Sequence, residues 1–259
     1  MEIIIRPSPE ECASIGCRII ANLIKEKPNT VLGLATGSTP IPLYSELVRM
    51  HEDEGLSFSD VTTFNLDEYI GLSGDHPCSY QFFMNEELFG KIDMSSGSIH
   101  IPNGEVEDIE SECLQYEEAI RSSGGIDLQV LGIGSDGHIG FNEPGSSLGS
   151  RTRIKTLTGE TIKDNARFFD DPDQVPRHCI TMGVGTIMDS ASLILFAFGE
   201  GKAEIIAKAV EGPLTAMVPA SALQLHPKVR VIVDEAAASK LSNIGYYQEV
   251  YDNKPHWQQ

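Results

Sequence analysis

One glycine-rich run carries three residues that together have the chemistry of proton transfer. Residues 132–145 read GIGSDGHIGFNEPG and place Asp136, His138 and Glu143 within eight residues, directly after an apolar stretch. Two carboxylates that reach one imidazole fix its tautomer and raise its basicity, which suits proton transfer near neutral pH. The surrounding glycines allow the backbone angles that such a turn needs. The alternative is a histidine that only satisfies a tight turn.

A second pair of carboxylates, Asp67 and Glu68, ends another apolar stretch, in the run TFNLDEY at residues 63–69. Either carboxylate has the chemistry of a general base. Consecutive side chains of an extended strand point to opposite faces, so at most one of the two is expected to face a substrate. The spacing does not decide which one.

Two glycine-containing segments have the composition of anion-binding sites. The loop at residues 36–39 (TGST) precedes a predicted helix, where backbone N–H groups, hydroxyls and the helix dipole favour a phosphate. Lys202 follows Gly199 and Gly201 at the start of another predicted helix, a place that is unfavourable for a cation unless an anion lies nearby. The alternative for each segment is structural: a helix cap for the loop and a solvated side chain for the lysine.

Positive charge is concentrated between residues 151 and 167. This stretch holds five basic and two acidic residues, whereas the whole chain of 259 residues has 19 basic and 38 acidic residues and a net charge of −19. A local excess of positive charge suits a phosphate that must approach against an unfavourable overall field. A solvated charged face is the alternative.

The composition excludes several other classes of protein. The strong negative charge opposes nucleic-acid binding, and the lack of any run of 18 apolar residues predicts that no helix spans a membrane. The start of the chain lacks the pattern of a signal peptide. Five cysteines without a C-x-x-C pair predict reduced thiols and a cytoplasmic location. The D-x-H-x4-E spacing matches no metal motif, so neither a metal nor another cofactor is expected.

Short apolar runs alternate with longer amphipathic stretches along the chain. Ser8, Pro9 and Glu11 form a helix-start signal before residues 12–27. The pattern predicts strands at 30–34, 61–66, 98–101, 126–133, 192–198 and 229–233. Strands separated by helical segments predict the α/β class: a Rossmann-like, open, mostly parallel sheet with helices on both faces. No linker interrupts the pattern, so residues 1–259 are predicted to form a single domain.

Residues 145–177 depart from this alternation. The segment is polar, lacks a long apolar stripe and is expected to be weakly structured. A long insertion of this kind in a compact domain is usually functional or mobile. We interpret this segment as a lid over the site. The alternative is an ordinary surface loop without a role at the site.

Four motifs together resemble the glucosamine-6-phosphate deaminase family, also known as the glucosamine-6-phosphate isomerase family. They are LATGSTP at residues 34–40, FNLDEY at 64–69, GSDGHIGFNEP at 134–144 and SRTRIKT at 150–156. The likeness runs in order from near residue 30 to about residue 230. No single motif is specific, whereas the combination is.

The resemblance implies a metal-independent conversion of D-glucosamine 6-phosphate and water to D-fructose 6-phosphate and ammonia. This reaction is an aldose–ketose isomerisation coupled to deamination. By position, His138 opens the sugar ring, and Asp136 and Glu143 orient this histidine and tune its basicity. Asp67 moves a proton between C2 and C1 through an enolamine-like intermediate. The residues that match phosphate-binding positions of the family are Thr36, Gly37, Ser38, Thr39, Arg167 and Lys202.

The resemblance also suggests regulation, because some members of the family are hexamers that N-acetylglucosamine 6-phosphate activates. Ser146, Arg153 and Lys155 match effector-pocket residues of those members. Residues 246–259 depart from them, and part of that pocket comes from this segment. A homo-oligomer and an effector response are therefore hypotheses.

Two alternatives remain at this point. A 6-phosphogluconolactonase shares the architecture and a similar Asp-Gly-His turn, but lactone hydrolysis needs no proton transfer between C2 and C1. The runs FNEP and DEY favour the deaminase. A non-catalytic phosphosugar sensor would keep the loop at 36–39 and Lys202, but it need not retain Asp67, His138 and Glu143 together.

Overall fold

The structure, a computed structural model, describes residues 1–166, 169, 171 and 174–255. Its strands are β1 (Glu2–Arg6), β2 (Val31–Leu34), β3 (Thr62–Asn65), β4 (Asp67–Tyr69), β5 (Ile99–His100), β6 (Leu128–Leu131), β7 (Arg153–Thr156), β8 (His178–Thr181), β9 (Leu193–Ala197) and β10 (Val229–Asp234). The α-helices are α1 (Pro9–Glu26), α2 (Ile41–Glu54), α3 (Tyr80–Glu87), α4 (Ile109–Ser122), α5 (Gly159–Asn165), α6 (Val184–Met188), α7 (Ala203–Val210), α8 (Glu235–Ala238) and α9 (Ile244–Asp252).

The main sheet has seven strands in the order β1-β10-β9-β6-β2-β3-β5, and each pair of neighbours is parallel. Its central strands are buried along their whole length because helices cover both faces. Helices α1 and α2 pack on one face, and α4, α6, α7 and α8 pack on the other. The predicted α/β class with a Rossmann-like, open parallel sheet is confirmed.

All six predicted strands overlap strands of this sheet, although the observed strands are mostly shorter at one or both ends. The predicted start of the first helix is also confirmed. Ser8 precedes α1 with an extended backbone, and its Oγ accepts a hydrogen bond from the N–H of Glu11 at 3.3 Å. Pro9 begins the helix, where a missing N–H costs nothing.

A small antiparallel sheet, with the order β4-β8-β7, was not expected from the sequence. Strand β4 has only three residues, and its partner β8 lies more than one hundred residues further along the chain. Strand β7 pairs with the other edge of β8 in the register Arg153↔Thr181. Such short strands are stabilised by pairing with partners that are distant in sequence, so the local sequence pattern does not predict them.

The expectation that residues 145–177 are weakly structured is wrong for two stretches of that segment. It contains β7, whose backbone pairs with β8, and α5. Thr158 caps α5, because its Oγ1 accepts a hydrogen bond from the N–H of Thr161. A polar segment becomes regular here through strand pairing and capping rather than through an apolar stripe.

Within the described part of the chain, none of the helices combines the length and the apolar character that crossing a membrane requires.

Candidate active site

A cavity of about 980 Å³ opens at the carboxyl ends of the central strands. Its walls come from the segments that follow β2, β3, β6 and β9. In open parallel sheets this edge is where ligands bind, because the loops and helix N-termini there converge on one crevice. The start of α1 (Pro9 and Glu10), parts of α3, Thr161, Lys163 and Phe169 also line the cavity.

One end of the cavity is lined by the loop Thr36, Gly37, Ser38 and Thr39. Helix α2 follows this loop, and no side chain caps its N-terminus. Helices α1, α3, α4, α5 and α8 have side-chain caps, whereas α6, α7 and α9 resemble α2 in having none. The N-terminal N–H groups of α2 are therefore not occupied by a side-chain cap, which favours an anion such as a phosphate at this end.

Lys202 adds a positive charge to the same cavity. Its Nζ donates a hydrogen bond to the carbonyl of Ile133 at 2.8 Å, which fixes the lysine against the segment after β6. Asp234 holds the loop before Lys202, since its carboxylate accepts hydrogen bonds from the N–H of Gly199 at 2.9 and 3.0 Å. Five of the six predicted phosphate-binding residues thus line one cavity, and the sixth, Arg167, lies outside the described residues.

His138 lies in a tight turn that Asp136 organises. The imidazole Nδ1 is 2.7 Å from Asp136 Oδ1, and the same carboxylate accepts the backbone N–H of His138 at 3.1 Å. With Nδ1 directed at Asp136, the other ring nitrogen, Nε2, is left for the cavity that His138 lines. Burial raises the pKa of Asp136, but the imidazole and the backbone N–H of His138 outweigh it and hold the pKa below its ordinary value.

Glycine is required beneath this histidine. The imidazole lies directly against the backbone of Gly134, where a Cβ atom would collide with the ring. The turn is closed by a hydrogen bond from the N–H of Gly134 to the carbonyl of His138 at 2.9 Å. Asn142 then fastens the run to the end of β8, because its Nδ2 donates to the carbonyl of Met182 at 2.7 Å.

Glu143 does not make the contact that its spacing suggested. It is buried, and its Oε1 accepts hydrogen bonds from Thr161 Oγ1 at 2.6 Å and from the N–H of Thr158 at 3.2 Å. Its Oε2 is buried without a hydrogen-bond partner among the described residues. The turn therefore brings Asp136 to His138, whereas Glu143 binds the start of α5.

Asp67 is the carboxylate of the adjacent pair that faces the cavity. It is 5% exposed, and no described residue donates a hydrogen bond to its carboxylate. Burial, and then the charge of Glu68, raise the pKa of Asp67 to about 8. Gly140, with φ +56°, leaves room for this group, since a Cβ atom there would lie 3.4 Å from Asp67 Oδ2.

Glu68 points the other way, as the alternation of a strand requires. Its carboxylate accepts three backbone N–H groups, from Tyr69, Tyr80 and Gln81, at 2.8 to 3.0 Å. The structure thus decides what the spacing left open: Asp67 lines the cavity and Glu68 binds the start of α3.

Four aromatic side chains that form one wall of the cavity were not found by sequence reasoning. Tyr80 stacks on Phe141 with ring centroids 6.0 Å apart, and Tyr69 contacts Tyr80, Phe141 and Phe169. All four rings line the cavity. Tyr69 and Phe141 lie inside the motif runs, so their types were visible, but their convergence depends on the small sheet and α3.

The residues that match an effector pocket lie apart from the cavity walls. Arg153 and Lys155 are two residues apart on β7, so their side chains leave the same face of the strand. Ser146 is buried, and its Oγ has no hydrogen-bond partner among the described residues. In the same described part of the chain, no three histidine, cysteine or acidic side chains converge as metal ligands do.

The fold and this site define a sugar-phosphate enzyme of one known family. The profile of that family, described as "Glucosamine-6-phosphate isomerases/6-phosphogluconolactonase", matches residues 9–232, and the chain belongs to this family.

Relatives named glucosamine-6-phosphate deaminase match the chain over its whole length. The protein of Arthrobacter sp. (strain FB24) is 51% identical over 258 residues, which cover 100% of this chain and 99% of that protein. The protein of Mycolicibacterium smegmatis (strain ATCC 700084 / mc(2)155) is 52% identical over 259 residues, with the same coverage. The resemblance inferred from the four motifs is confirmed.

Two solved structures with different activities are similar to this chain. A monomeric glucosamine-6-phosphate deaminase matches with a TM-score of 0.91 and 49% identity, covering 93% of this chain and 100% of that one. The 6-phosphogluconolactonase of Trypanosoma brucei matches with a TM-score of 0.73 and 20% identity, covering 93% and 98%. The second likeness shows the fold alone.

Proposed function

We propose that this chain is an enzyme that converts D-glucosamine 6-phosphate and water to D-fructose 6-phosphate and ammonia. The observation that carries the proposal is one cavity with an uncapped helix N-terminus, a lysine, a His–Asp pair and a separate buried carboxylate. The full-length relatives named as deaminases support the same activity.

The phosphate is held by the loop at residues 36–39 and Lys202, with Arg167 assigned to the same group by its position in the family pattern. These groups do not react, so their binding energy serves to hold the sugar against the proton-transfer groups. The excess of positive charge at residues 151–167 draws the anion toward a chain whose net charge is −19.

Ring opening is assigned to His138. Its Nε2 accepts the proton of the C1 hydroxyl and delivers a proton to the ring oxygen as the bond between C1 and that oxygen breaks. Asp136 keeps the tautomer that leaves Nε2 free to accept and stabilises the imidazolium that forms. Glu143 belongs to the same glycine-rich run, and its hydrogen bonds with Thr158 and Thr161 link that run to the start of α5.

Isomerisation is assigned to Asp67. Its carboxylate takes the proton from C2 while O1 of the open-chain aldehyde takes a proton from the substrate ammonium, which gives an enolamine. Asp67 then returns its proton to C1, which leaves a hydroxyl at C1 and an iminium at C2. Water adds to C2, and ammonia departs as the ketone forms. A carboxyl group with a pKa near 8 is a stronger base than an ordinary aspartate, which suits removal of a weakly acidic C–H proton.

Residues 145–177 are assigned the role of a lid on a single domain that spans residues 1–259. Thr161, Lys163 and Phe169 of this segment line the cavity. Closure over the sugar would exclude water from the proton transfers. The five cysteines are free, which supports a reducing, cytoplasmic location.

An effector site for N-acetylglucosamine 6-phosphate is assigned to Ser146, Arg153 and Lys155. The unpartnered buried Oγ of Ser146 and two cations on one face of β7 support it. Hyperbolic kinetics that the acetylated sugar phosphate leaves unchanged would contradict this assignment. Sedimentation analysis tests a homo-oligomer, since some relatives are expected to be hexamers and one solved relative is described as monomeric.

The test of the main proposal is ammonia release from D-glucosamine 6-phosphate after chelator treatment, with hydrolysis of 6-phosphogluconolactone assayed beside it. Chelator-resistant ammonia release is the expected result. Lactone hydrolysis without ammonia release would identify a lactonase, and inactivity on both substrates with retained phosphosugar binding would identify a sensor.

A further inference from the structure

Glu68 is a buried carboxylate that the proposed reaction does not use. It is 4% exposed, and it lies next to Asp67 on β4 with its side chain on the opposite face. Its Oε1 accepts hydrogen bonds from the N–H of Tyr69 at 2.8 Å and of Tyr80 at 3.0 Å. Its Oε2 accepts one from the N–H of Gln81 at 2.9 Å. A buried charge is costly unless hydrogen bonds satisfy it, so three donors indicate a specific role.

These bonds join two walls of the cavity. Tyr80 and Gln81 are the first two residues of α3, whose N–H groups have no partner within the helix. Ser79 Oγ takes the next one, from Phe82, at 3.0 Å. Glu68 and Ser79 together therefore satisfy the whole first turn, and the negative charge of Glu68 suits the positive end of the helix dipole.

The first turn of α3 is itself part of the site. Ser79, Tyr80 and Phe83 line the cavity, and Tyr80 continues the aromatic wall through its stacking on Phe141. The strand that Glu68 belongs to carries Asp67 into the same cavity. The Glu68 side chain thus joins the strand of Asp67 to the first turn of α3, which carries part of the aromatic wall.

The charge environment of Asp67 gives Glu68 a second effect. Among the described residues, Tyr80, Tyr116 and Cys179 also interact electrostatically with Asp67. Burial raises the pKa of each well above its ordinary value, so all three stay neutral. Glu68 is the negative charge that adds to burial in raising the pKa of Asp67. Burial also raises the pKa of Glu68 itself, and the three backbone N–H groups that it accepts oppose that rise and favour its charged form.

We propose that Glu68 is a positioning residue of the deamination reaction, which fixes the strand of Asp67 against the first turn of α3. This inference rests on the proposed function, because it assigns Glu68 a role in that same site. Two variants separate its two effects. Glu68→Gln keeps the length and removes the charge, whereas Glu68→Asp keeps the charge and withdraws it from α3.

The kinetic readout is the dependence of kcat/KM for ammonia release on pH. For Glu68→Gln we expect kcat to fall about tenfold, with KM within about threefold and the acid limb displaced to lower pH. The amine of the substrate titrates identically with both enzymes, so a displaced limb reports Asp67. For Glu68→Asp we expect a similar fall in kcat with the limb unmoved. Glu86→Gln, the same change at an exposed position of α3, is the matched control and leaves all three quantities unchanged.

A second readout needs no substrate. Hydrogen exchange of the Tyr80 and Gln81 amides should accelerate about tenfold or more in both Glu68 variants and remain unchanged in Glu86→Gln. Inactivity of the wild-type chain on the amino sugar would overturn the proposed function and leave this measurement valid. Unchanged exchange in the Glu68 variants, or a Glu68→Gln enzyme with wild-type kcat and an unmoved acid limb, would overturn the role of Glu68.

Discussion

Two aspartates lie in or next to the same cavity, and their pKa values are shifted in opposite directions. Asp67, the first residue of β4, is 5% exposed, receives no hydrogen bond from a described residue and has a pKa raised to about 8. The side chain of Asp136, in the turn after β6, is 22% exposed, lies 2.7 Å from the imidazole of His138 and has a pKa below its ordinary value. Burial penalises the charge of both groups. The partner decides the outcome: a like charge beside Asp67, and a hydrogen-bonding imidazole beside Asp136.

The difference matches two tasks. A carboxylate that binds its proton weakly stays ionised and can hold and stabilise a histidine, which then moves protons between oxygen atoms. A carboxyl group that binds its proton tightly can take a proton from carbon and give it back.

Asp67→Asn should have the largest effect. The amide fills nearly the same volume but cannot accept the C2 proton, so we expect kcat to fall by about 10³-fold or more, while KM changes little. Ammonia release under saturating substrate measures it, with binding of D-fructose 6-phosphate as the test of an intact cavity. A rate within tenfold of the wild type would remove Asp67 from the mechanism.

Asp136→Asn should have the second largest effect on kcat, and this effect should arise from a change in His138. An amide donating to Nδ1 favours the tautomer with the proton on Nε2, which can no longer accept one. We expect a fall in kcat on the order of 10²-fold, together with a change of the His138 tautomer in a nitrogen NMR spectrum. Asp60→Asn, an exposed position, is the control. Loss of activity with the tautomer unchanged would contradict the division of work.

Gly134→Ala should disturb the histidine without touching either aspartate. Its methyl group would occupy the space of the imidazole, so the ring must move off its present position. We expect about a tenfold fall in kcat and a loss of stability of about 1–3 kcal/mol, the usual cost of overpacking. Gly245→Ala, on α9 and with no atom of another element within 4 Å, is the control: it should leave kcat unchanged and should not lower stability. Wild-type activity in Gly134→Ala would show that the position of the ring is not critical.

The smallest effect concerns stability. Between pH about 4 and about 8 the folded chain keeps the Asp67 proton while the unfolded chain has lost it. Unfolding then releases a proton, so the contribution of Asp67 to stability decreases as pH rises through this window. Asp67→Asn lacks this dependence, and its melting temperature should exceed that of the wild type by a margin that grows with pH. A constant margin across the window would contradict the raised pKa.

Much of the fold could be predicted from the sequence, because the central strands of the main sheet are fully buried and appear as short apolar runs. The small sheet could not, since β4 and β7 each depend on β8, which is distant from β4 in sequence. Residues 145–177 looked irregular because strand pairing and a Thr158 cap, rather than an apolar stripe, order β7 and α5.

The motif residues indicated the site, but their roles depend on partners that the spacing does not reveal. Asp67 and Glu68 are indistinguishable as a pair until α3 places its first turn beside Glu68. Glu143 looked like a second partner of His138, yet the hydroxyl of Thr161 and the N–H of Thr158 bind it instead. In both cases a helix N-terminus from another part of the chain decides which way a carboxylate turns.

The most direct test of this account is an infrared titration of the protein from about pH 5 to about pH 10, with wild type and Asp67→Asn compared. The account predicts a band of one protonated carboxyl group that disappears near pH 8 in the wild type and is absent from Asp67→Asn. Disappearance of every such band near the ordinary aspartate value, already complete by pH 6, would contradict it.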